Sequence, residues 1–318
     1  MTTTTRTTTA IALLAFAGAA LGAPKAYISS SNGGVYALDA TFTPVLVGQH
    51  GGVLNGSPVA ISAAHDHLVT VGTVGAVSRM DPASGDVFAL YQIWHGIGGS
   101  AITTDGDQLF VSDVLGNISY LDANGDENET YYAGMQVSSM LVNGDDLVIG
   151  SPNTLILSAP FGDPNFEFIS ACGGIVNSLA LTDDHLFAGD ANGTVYRFAA
   201  AGGAYETTFE TLTDAKGVAV LGGELLVVGS DGTLERRDPI SGTLLGTSGL
   251  GVPFTGIVVA DFCFADLNAD ESLDTDDVDA FVGGFVASDL SMADCNGSGN
   301  LNVDDIDCFV SSFLAGCP

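Results

Sequence analysis

Basic residues are scarce in this sequence. It contains seven Lys and Arg residues against 38 Asp and Glu residues, and all of the acidic residues lie after residue 23. Because Arg6 precedes that point, residues 24–318 carry a net charge of −32. Such an excess of negative charge repels nucleic acids and anionic membranes, so we expect neither as a partner.

Long apolar runs are also missing after residue 23, where no stretch approaches 18 consecutive apolar residues. The sequence therefore predicts no membrane span. Residues 1–23 combine Arg6, an apolar run from Ala10 to Leu21 and small residues ending at Ala23, which is typical of a secretory signal peptide. We expect a secreted or extracellular protein, with the periplasm and the cell surface as alternative locations.

Cysteine is rare and unevenly distributed. One of the five cysteines, Cys172, stands alone, whereas Cys263, Cys295, Cys308 and Cys317 all lie near the end of the sequence. An exported chain can keep disulfides, and four cysteines in a small segment indicate two of them. The sequence leaves three pairings open, of which we favour Cys263 with Cys317 and Cys295 with Cys308. We interpret Cys172 as a small buried residue rather than a reactive thiol.

Motifs of several enzyme classes are absent. The sequence contains no Gly-x-Ser-x-Gly element and no phosphate-binding loop. A single tryptophan and few basic residues make a quinone cofactor a poor fit. His50 and His95 are expected to be exposed loop residues, because two histidines without a third ligand make a poor metal site. His65, His67 and His185 are expected to be solvated in acidic turns.

The sequence does contain a repeat. Its clearest copy, Val176 to Phe198, has three short apolar runs separated by turns at residues 183–184 and 191–193, a pattern typical of antiparallel strands joined by hairpins. The run after the acidic turn occurs six times at nearly constant intervals, marked by Tyr27, Leu68, Leu109, Leu147, Leu186 and Leu225. A turn glycine follows most copies but is missing from the fourth, at residues 151–158.

Four strands in about 40 residues are typical of one blade of a β-propeller. The repeats begin at a second strand, Ala26 to Ser29, and the missing first strand matches Gly256 to Ala260 at the far end. Pairing of these segments would close a ring, so we predict an all-β, six-bladed propeller over residues 24–260. The period and strand order resemble those of WD40-like and quinoprotein-like propellers, although the Trp-Asp dipeptide of WD40 repeats is absent.

Acidic residues recur at one position of the repeat. Asp39, Asp81, Asp122 and Asp238 each end the third strand of a copy. Recurrence at one repeat position indicates a structural turn residue, because catalysis would need asymmetry. For the 25 acidic residues of residues 24–260 we favour solubility in a saline habitat over cation binding.

The tail after residue 260 contains two copies of one acidic pattern, which begin at Asp266 and at Asp294. Ca²⁺ needs six to eight oxygen ligands, which an EF-hand loop supplies from positions 1, 3, 5, 7, 9 and 12. Apolar residues at helical spacing follow each loop, namely Val278, Phe281, Val282, Phe285 and Val286, then Ile306, Phe309, Val310, Phe313 and Leu314. The pattern predicts two Ca²⁺ sites, with ligands at Asp266, Asn268, Asp270, Ser272, Asp274 and Asp277 and at Asp294, Asn296, Ser298, Asn300, Asn302 and Asp305. We favour the first as the tighter site because it offers more carboxylates.

Residues 262–317 resemble a type I dockerin, a duplicated calcium loop and helix, and especially the cysteine-bearing dockerin-like tails of secreted planctomycete-type proteins. The resemblance implies docking to a cohesin-like protein. Glu271 replaces the turn glycine of the first loop, and Ser298 replaces an acidic residue of the second. The Ser-Thr pair that contacts cohesin in dockerins is here Thr275-Asp276 and Val303-Asp304. These departures affect cohesin binding more than metal binding.

These features predict a signal peptide at residues 1–23, a propeller at 24–260 and a small α-helical tandem EF-hand, dockerin-like domain at 261–318. The favoured function is a secreted, non-catalytic binding or scaffold module. Its tail would bind two Ca²⁺ ions and dock to a cohesin-like or other extracellular protein, while a propeller face would bind a glycan or a protein. The alternative is an extracellular polysaccharide-degrading enzyme, a glycoside hydrolase or lyase, which would use paired carboxylates. A third hypothesis is a tail that only caps or sorts the protein.

Overall fold

The computed structural model describes residues 25–39, 41–50, 56–64, 67–82, 84–93, 98–106, 108–122, 125–260, 267, 274–287, 293, 301–303, 305–306, 309–310 and 313. Between residues 25 and 260 the described residues form six antiparallel sheets of four strands each. The predicted six-bladed β-propeller is therefore confirmed.

The strands follow the chain blade by blade. Blade 1 contains β1 (Lys25–Ser30), β2 (Gly34–Leu38) and β3 (Pro44–Gln49). Blade 2 contains β4 (Pro58–Ala63), β5 (Leu68–Gly72), β6 (Ala76–Met80) and β7 (Val87–Gln92). Blade 3 contains β8 (Gly99–Asp105), β9 (Gln108–Asp113), β10 (Asn117–Leu121) and β11 (Glu127–Tyr132).

The second half of the ring repeats this order. Blade 4 contains β12 (Ser139–Asn143), β13 (Asp146–Gly150), β14 (Leu155–Pro160) and β15 (Glu167–Ala171). Blade 5 contains β16 (Val176–Leu181), β17 (His185–Asp190), β18 (Thr194–Ala199) and β19 (Tyr205–Glu210). Blade 6 contains β20 (Gly217–Leu221), β21 (Glu224–Val228), β22 (Thr233–Arg237) and β23 (Leu244–Gly249), and β24 (Phe254–Ala260) returns to blade 1.

Blade 1 joins the first and last strands of the propeller. β24 pairs antiparallel with β1, with Tyr27 opposite Val258 and Ile28 opposite Ile257, as the sequence predicted. Each of the innermost strands β4, β8, β12, β16, β20 and β24 contacts the next, and β24 contacts β4. The ring is therefore closed by the main-chain hydrogen bonds between β24 and β1.

The described residues of the propeller form six hydrophobic clusters, one at each junction between blades. At the junction of blades 6 and 1, for example, Ile28 packs with Leu226 and Val228. Because neighbouring blades cover both faces of each second strand, that strand is buried along its length and mostly apolar, as in β5. The outermost strands consist mainly of half-buried and exposed residues, which alternate strictly in β7.

The turn between the second and third strands of a blade needs a left-handed residue. In blade 3 this is Gly116, where a Cβ atom would lie 1.9 Å from the carbonyl oxygen of Met135. Blade 4 has no glycine in this turn, and Thr154 adopts a φ of 70° in its place. Because a β-branched residue is disfavoured in this region, the turn of blade 4 carries backbone strain.

The recurring aspartates at the ends of the third strands cap tight turns, as predicted. Asp39 Oδ1 accepts hydrogen bonds from the backbone N–H groups of Thr41 and Thr43, at 2.8 and 2.9 Å. The Thr41 hydroxyl and these backbone groups hold the pKa of Asp39 below its usual range. Equivalent backbone bonds are accepted by Asp81, Asp122 and Asp238.

The described residues after the propeller include one helix, α1 (Thr275–Ala287), and helical residues at 293, 303, 305–306, 309–310 and 313. Phe281 and Phe309 stack with ring centroids 4.2 Å apart and form a small core with Ala293. These phenylalanines follow Asp277 and Asp305 at the same spacing, so the two sequence copies pack on each other through equivalent positions. Within the described residues, no helix is both long enough and apolar enough to cross a membrane.

Candidate metal centre and docking groove

The structure describes four of the twelve predicted calcium ligands: Asp274, Asp277, Asn302 and Asp305. These residues occupy positions 9 and 12 of the two loops. The other eight predicted ligands lie outside the described residues, namely Asp266, Asn268, Asp270, Ser272, Asp294, Asn296, Ser298 and Asn300.

In the first loop, Asp274 and Asp277 cap the start of α1. Asp274 Oδ1 accepts a hydrogen bond from the backbone N–H of Asp276 at 2.8 Å, and Asp277 Oδ2 accepts one from the N–H of Asp274 at 3.0 Å. This arrangement resembles a capping box, except that the N-cap side chain accepts from the second helical N–H group rather than the third. Asp277 Oδ1 also accepts from the N–H of Leu267 at 2.8 Å. One carboxylate thus ties together both ends of the loop.

The second loop repeats part of this geometry. The backbone N–H of Asn302 donates to Asp305 Oδ2 at 2.8 Å, as that of Asp274 does to Asp277. Both position-12 carboxylates, those of Asp277 and Asp305, are fully buried. Positions 9 and 12 therefore play the same structural role in both copies.

The chemistry of these residues fits a hard cation. Carboxylate and amide oxygens are the ligands that Ca²⁺ prefers, and a buried carboxylate needs hydrogen bonds or a counter-ion to offset its loss of hydration. Among the residues that the structure describes, no group of three or more His, Cys, Asp or Glu side chains is close enough to hold a metal. The four described ligands would thus bind Ca²⁺ only together with the others of their loops.

An apolar groove, here called the tail groove, lies between α1 and the helical residues that follow it. Its volume is about 380 Å³, and the described residues that line it are all apolar: Val278, Phe281, Val282, Phe285, Val286, Ile306, Phe309, Val310 and Phe313. Val282 is 51% exposed and Val286 is 79% exposed. The two predicted apolar helix faces therefore pack together only in part, and the rest of each face remains accessible.

Two predictions about histidines were wrong. His50, expected to be exposed, is buried because it lies against β5, where its Nδ1 is 2.6 Å from Thr70 Oγ1. His67, expected to be solvated, is buried with its ring edge-on to Phe88 of β7. His185 is half-buried, 3.2 Å from Glu206. His65 and His95 lie outside the described residues.

Cys172 is a half-buried free thiol. Burial, and then the negative charge of Asp190, raise the pKa of this thiol to about 12. The sequence predicted a buried residue, and the structure places it half-buried. Because the thiolate is the nucleophilic form, the raised pKa lowers the expected reactivity of this thiol at neutral pH. The four cysteines of the predicted disulfides lie outside the described residues.

Glu235 and Arg237 form a buried ion pair that was not predicted from the sequence. Glu235 Oε2 accepts from Arg237 Nε at 2.7 Å, and its Oε1 accepts from the backbone N–H of Leu212 at 2.6 Å. Arg237 also donates to the carbonyl oxygen of Gly242 at 2.8 Å. The pair therefore fastens blade 6 to the connection from blade 5. Its one sequence signal is opposite charge two residues apart on a strand, where both side chains lie on the same face.

The chain matches no model of a known protein family, and no curated protein matches it. Among solved structures, a chain from a crystal structure of a nidogen/laminin complex superposes with a TM-score of 0.65. The superposition covers 76% of this chain and 100% of that chain, at 13% sequence identity. At this identity the likeness shows a shared β-propeller fold.

Proposed function

We propose that this protein is a secreted, non-catalytic binding or scaffold module in which a calcium-binding, dockerin-like tail docks the propeller to another extracellular protein. The observation that carries the proposal is the matching geometry of the two predicted calcium loops. In each loop the position-12 carboxylate is fully buried and accepts a hydrogen bond from the N–H of position 9. A solvated charge run does not require its carboxylates to be buried, and their burial at the same position of both loops supports the proposal.

Calcium would act on the tail by neutralising its carboxylates. The tail carries 13 acidic residues and no Lys or Arg, so the carboxylates within each loop repel one another until a cation binds. Asp277 and Asp305 would each supply oxygen at position 12, and the hydrogen bonds described above would hold them in orientation. The other ten predicted ligands would complete two sites.

The tail groove is the surface that we propose for the docking partner. The nine described residues that line it are all apolar in a chain whose net charge is −32 from residue 24 onward, so the groove is suited to an apolar patch on a cohesin-like or other extracellular protein. Stacking of Phe281 on Phe309 forms the floor of the groove. Each wall of the groove is a helical segment that begins at one of the two predicted calcium loops. Calcium binding would therefore control the shape of the groove.

Removal of calcium from the full chain tests this proposal. We expect a chelator to abolish the helical circular dichroism and the calorimetric transition of the tail, while the transition of the propeller persists. A variant carrying both Asp266→Ala and Asp294→Ala should behave in calcium as the wild type does in chelator. A helical signal that is insensitive to chelation would refute the calcium part of the proposal.

A further inference from the structure

The six outermost strands of the propeller differ in charge. β11, β15 and β19 each contain at least one glutamate, whereas β3, β7 and β23 contain no charged residue. The three uncharged strands belong to blades 1, 2 and 6, which are consecutive around the ring. Charged side chains on an edge strand oppose pairing with another chain. The outermost strands of blades 1, 2 and 6 therefore lack the charged residues that oppose edge pairing in blades 3, 4 and 5.

Among the uncharged edges, β7 is the best suited to pairing. Its sequence, Val-Phe-Ala-Leu-Tyr-Gln, contains no proline or glycine, whereas β3 begins with Pro44 and β23 contains Gly246. In the described part of the chain it pairs with β6 alone. Phe88 is 58% exposed and Leu90 is 49% exposed, so two large apolar side chains accompany the open edge.

We propose that β7 pairs antiparallel with β7 of a second copy of this chain, across a two-fold axis. Such pairing would join two four-stranded blades into one eight-stranded sheet. With the axis at Ala89, Phe88 of each copy would lie opposite Leu90 of the other, and apolar cross-strand pairs of this kind stabilise a sheet. The edge is thus complementary to itself in shape and in chemistry.

Charge favours this contact over other contacts between copies. Two chains of net charge −32 repel each other wherever their acidic residues meet, and pairing through β11 or β19, which carry two glutamates each, would bring glutamates close to one another. The acidic residue next to β7 is Asp86, which precedes the strand. In an antiparallel pair with this axis, Asp86 of one copy would lie opposite Gln92 of the other, away from the second Asp86.

The size of the contact indicates a weak dimer. Six residues per copy bury less than the roughly 800 Å² per partner of a standard interface. We therefore expect association that depends on protein concentration and does not depend on calcium. If the tail docks as proposed, the dimer would carry two tails and would bind a surface with two docking sites more tightly than one tail would.

Sedimentation velocity of the full chain over a range of concentrations, with calcium and with chelator, tests the pairing. We expect the mass to rise towards twice that of the monomer in both conditions. Leu90→Glu places on β7 a glutamate like those of β11, β15 and β19. This change should raise the dissociation constant of the dimer by at least about tenfold. Phe168→Glu is the matched control, because Phe168 is 65% exposed on β15, an edge that already carries Glu167.

Hydrogen exchange locates the contact. Backbone amides of residues 87–92 should become protected as the protein concentration rises, while those of residues 127–132 should not change. A wild-type chain that stays monomeric, or a Leu90→Glu variant that associates as strongly as wild type, would overturn the proposal. Dimer loss in Val286→Glu, a change in the tail groove, with Leu90→Glu unaffected, would assign association to the tail and would also overturn it.

Discussion

Glu235→Gln should destabilise the propeller strongly, whereas Glu224→Gln should not. The two glutamates pair with adjacent arginines of β22, Glu235 with Arg237 and Glu224 with Arg236. In both pairs the arginine Nε lies 2.7 Å from a carboxylate oxygen. The pairs differ in burial, since the side chains of Glu235 and Arg237 are 0% and 8% exposed and those of Glu224 and Arg236 are 25% and 30% exposed.

Burial sets the expected magnitudes. Glu235→Gln keeps an oxygen for the N–H of Leu212 but leaves the Arg237 guanidinium buried without its counter-ion, which costs about 3–5 kcal/mol of the free energy of unfolding. Around Glu224 solvent screens the pair, so the cost there is about 0–1 kcal/mol. With a urea slope of about 3 kcal/mol per M, these costs lower the midpoint by about 1–1.7 M and by at most about 0.3 M.

Urea titration followed by far-ultraviolet circular dichroism measures both shifts. A double variant, Glu235→Leu with Arg237→Leu, removes the unpaired charge and should lose less stability than Glu235→Gln, although the N–H of Leu212 loses its acceptor. Equal midpoint shifts for Glu235→Gln and Glu224→Gln would refute the reasoning. A double variant at least as unstable as the two single leucine variants added together would refute it too.

Three further predictions concern turns and the free thiol. Thr154→Gly should raise the melting temperature by the equivalent of about 1 kcal/mol, because relief of strain at φ 70° exceeds the entropy cost of glycine. The opposite change in the corresponding turn of blade 5, Gly193→Thr, should lower the melting temperature. Asp238→Ala should destabilise at neutral pH, because hydrogen bonds from the backbone and hydroxyl of Ser241 hold the pKa of Asp238 below its usual range. That stabilisation is lost as the pH falls through the lowered pKa, so melting curves of this variant and wild type should converge below about pH 4. Cys172, with a pKa of about 12, should resist alkylation in the native protein and react after denaturation. Mass spectrometry measures the alkylation rate in each state, and equal rates would contradict its burial.

The propeller could be predicted from the sequence because its signal is periodic. Each second strand is buried on both faces, so a mostly apolar run such as Leu68 to Gly72 recurs at nearly constant intervals. The segment Gly256 to Ala260 was recognised as the missing strand because the first blade lacked one, and its pairing with β1 confirms that prediction. Repetition thus revealed both the blades and their closure.

Contacts between distant segments could not be predicted in the same way. His50 and His67 lie in polar turns, yet segments folded over these turns bury both residues. The cap formed by Asp274 and Asp277 has a sequence signature, an acidic residue followed three positions later by another, but the same letters also encode metal ligands. The tail groove was missed because periodicity predicts an apolar helix face without showing how much of it a neighbour covers.

Calorimetric titration of Ca²⁺ into the decalcified full chain tests the central claim most directly. The account predicts two bound ions per wild-type chain, one in Asp266→Ala and one in Asp294→Ala, and no saturable binding when both changes are combined. The double variant also measures any uptake by the acidic turns of the propeller. Absence of saturable binding by the wild type, or undiminished binding by the double variant, would contradict a calcium-binding tail.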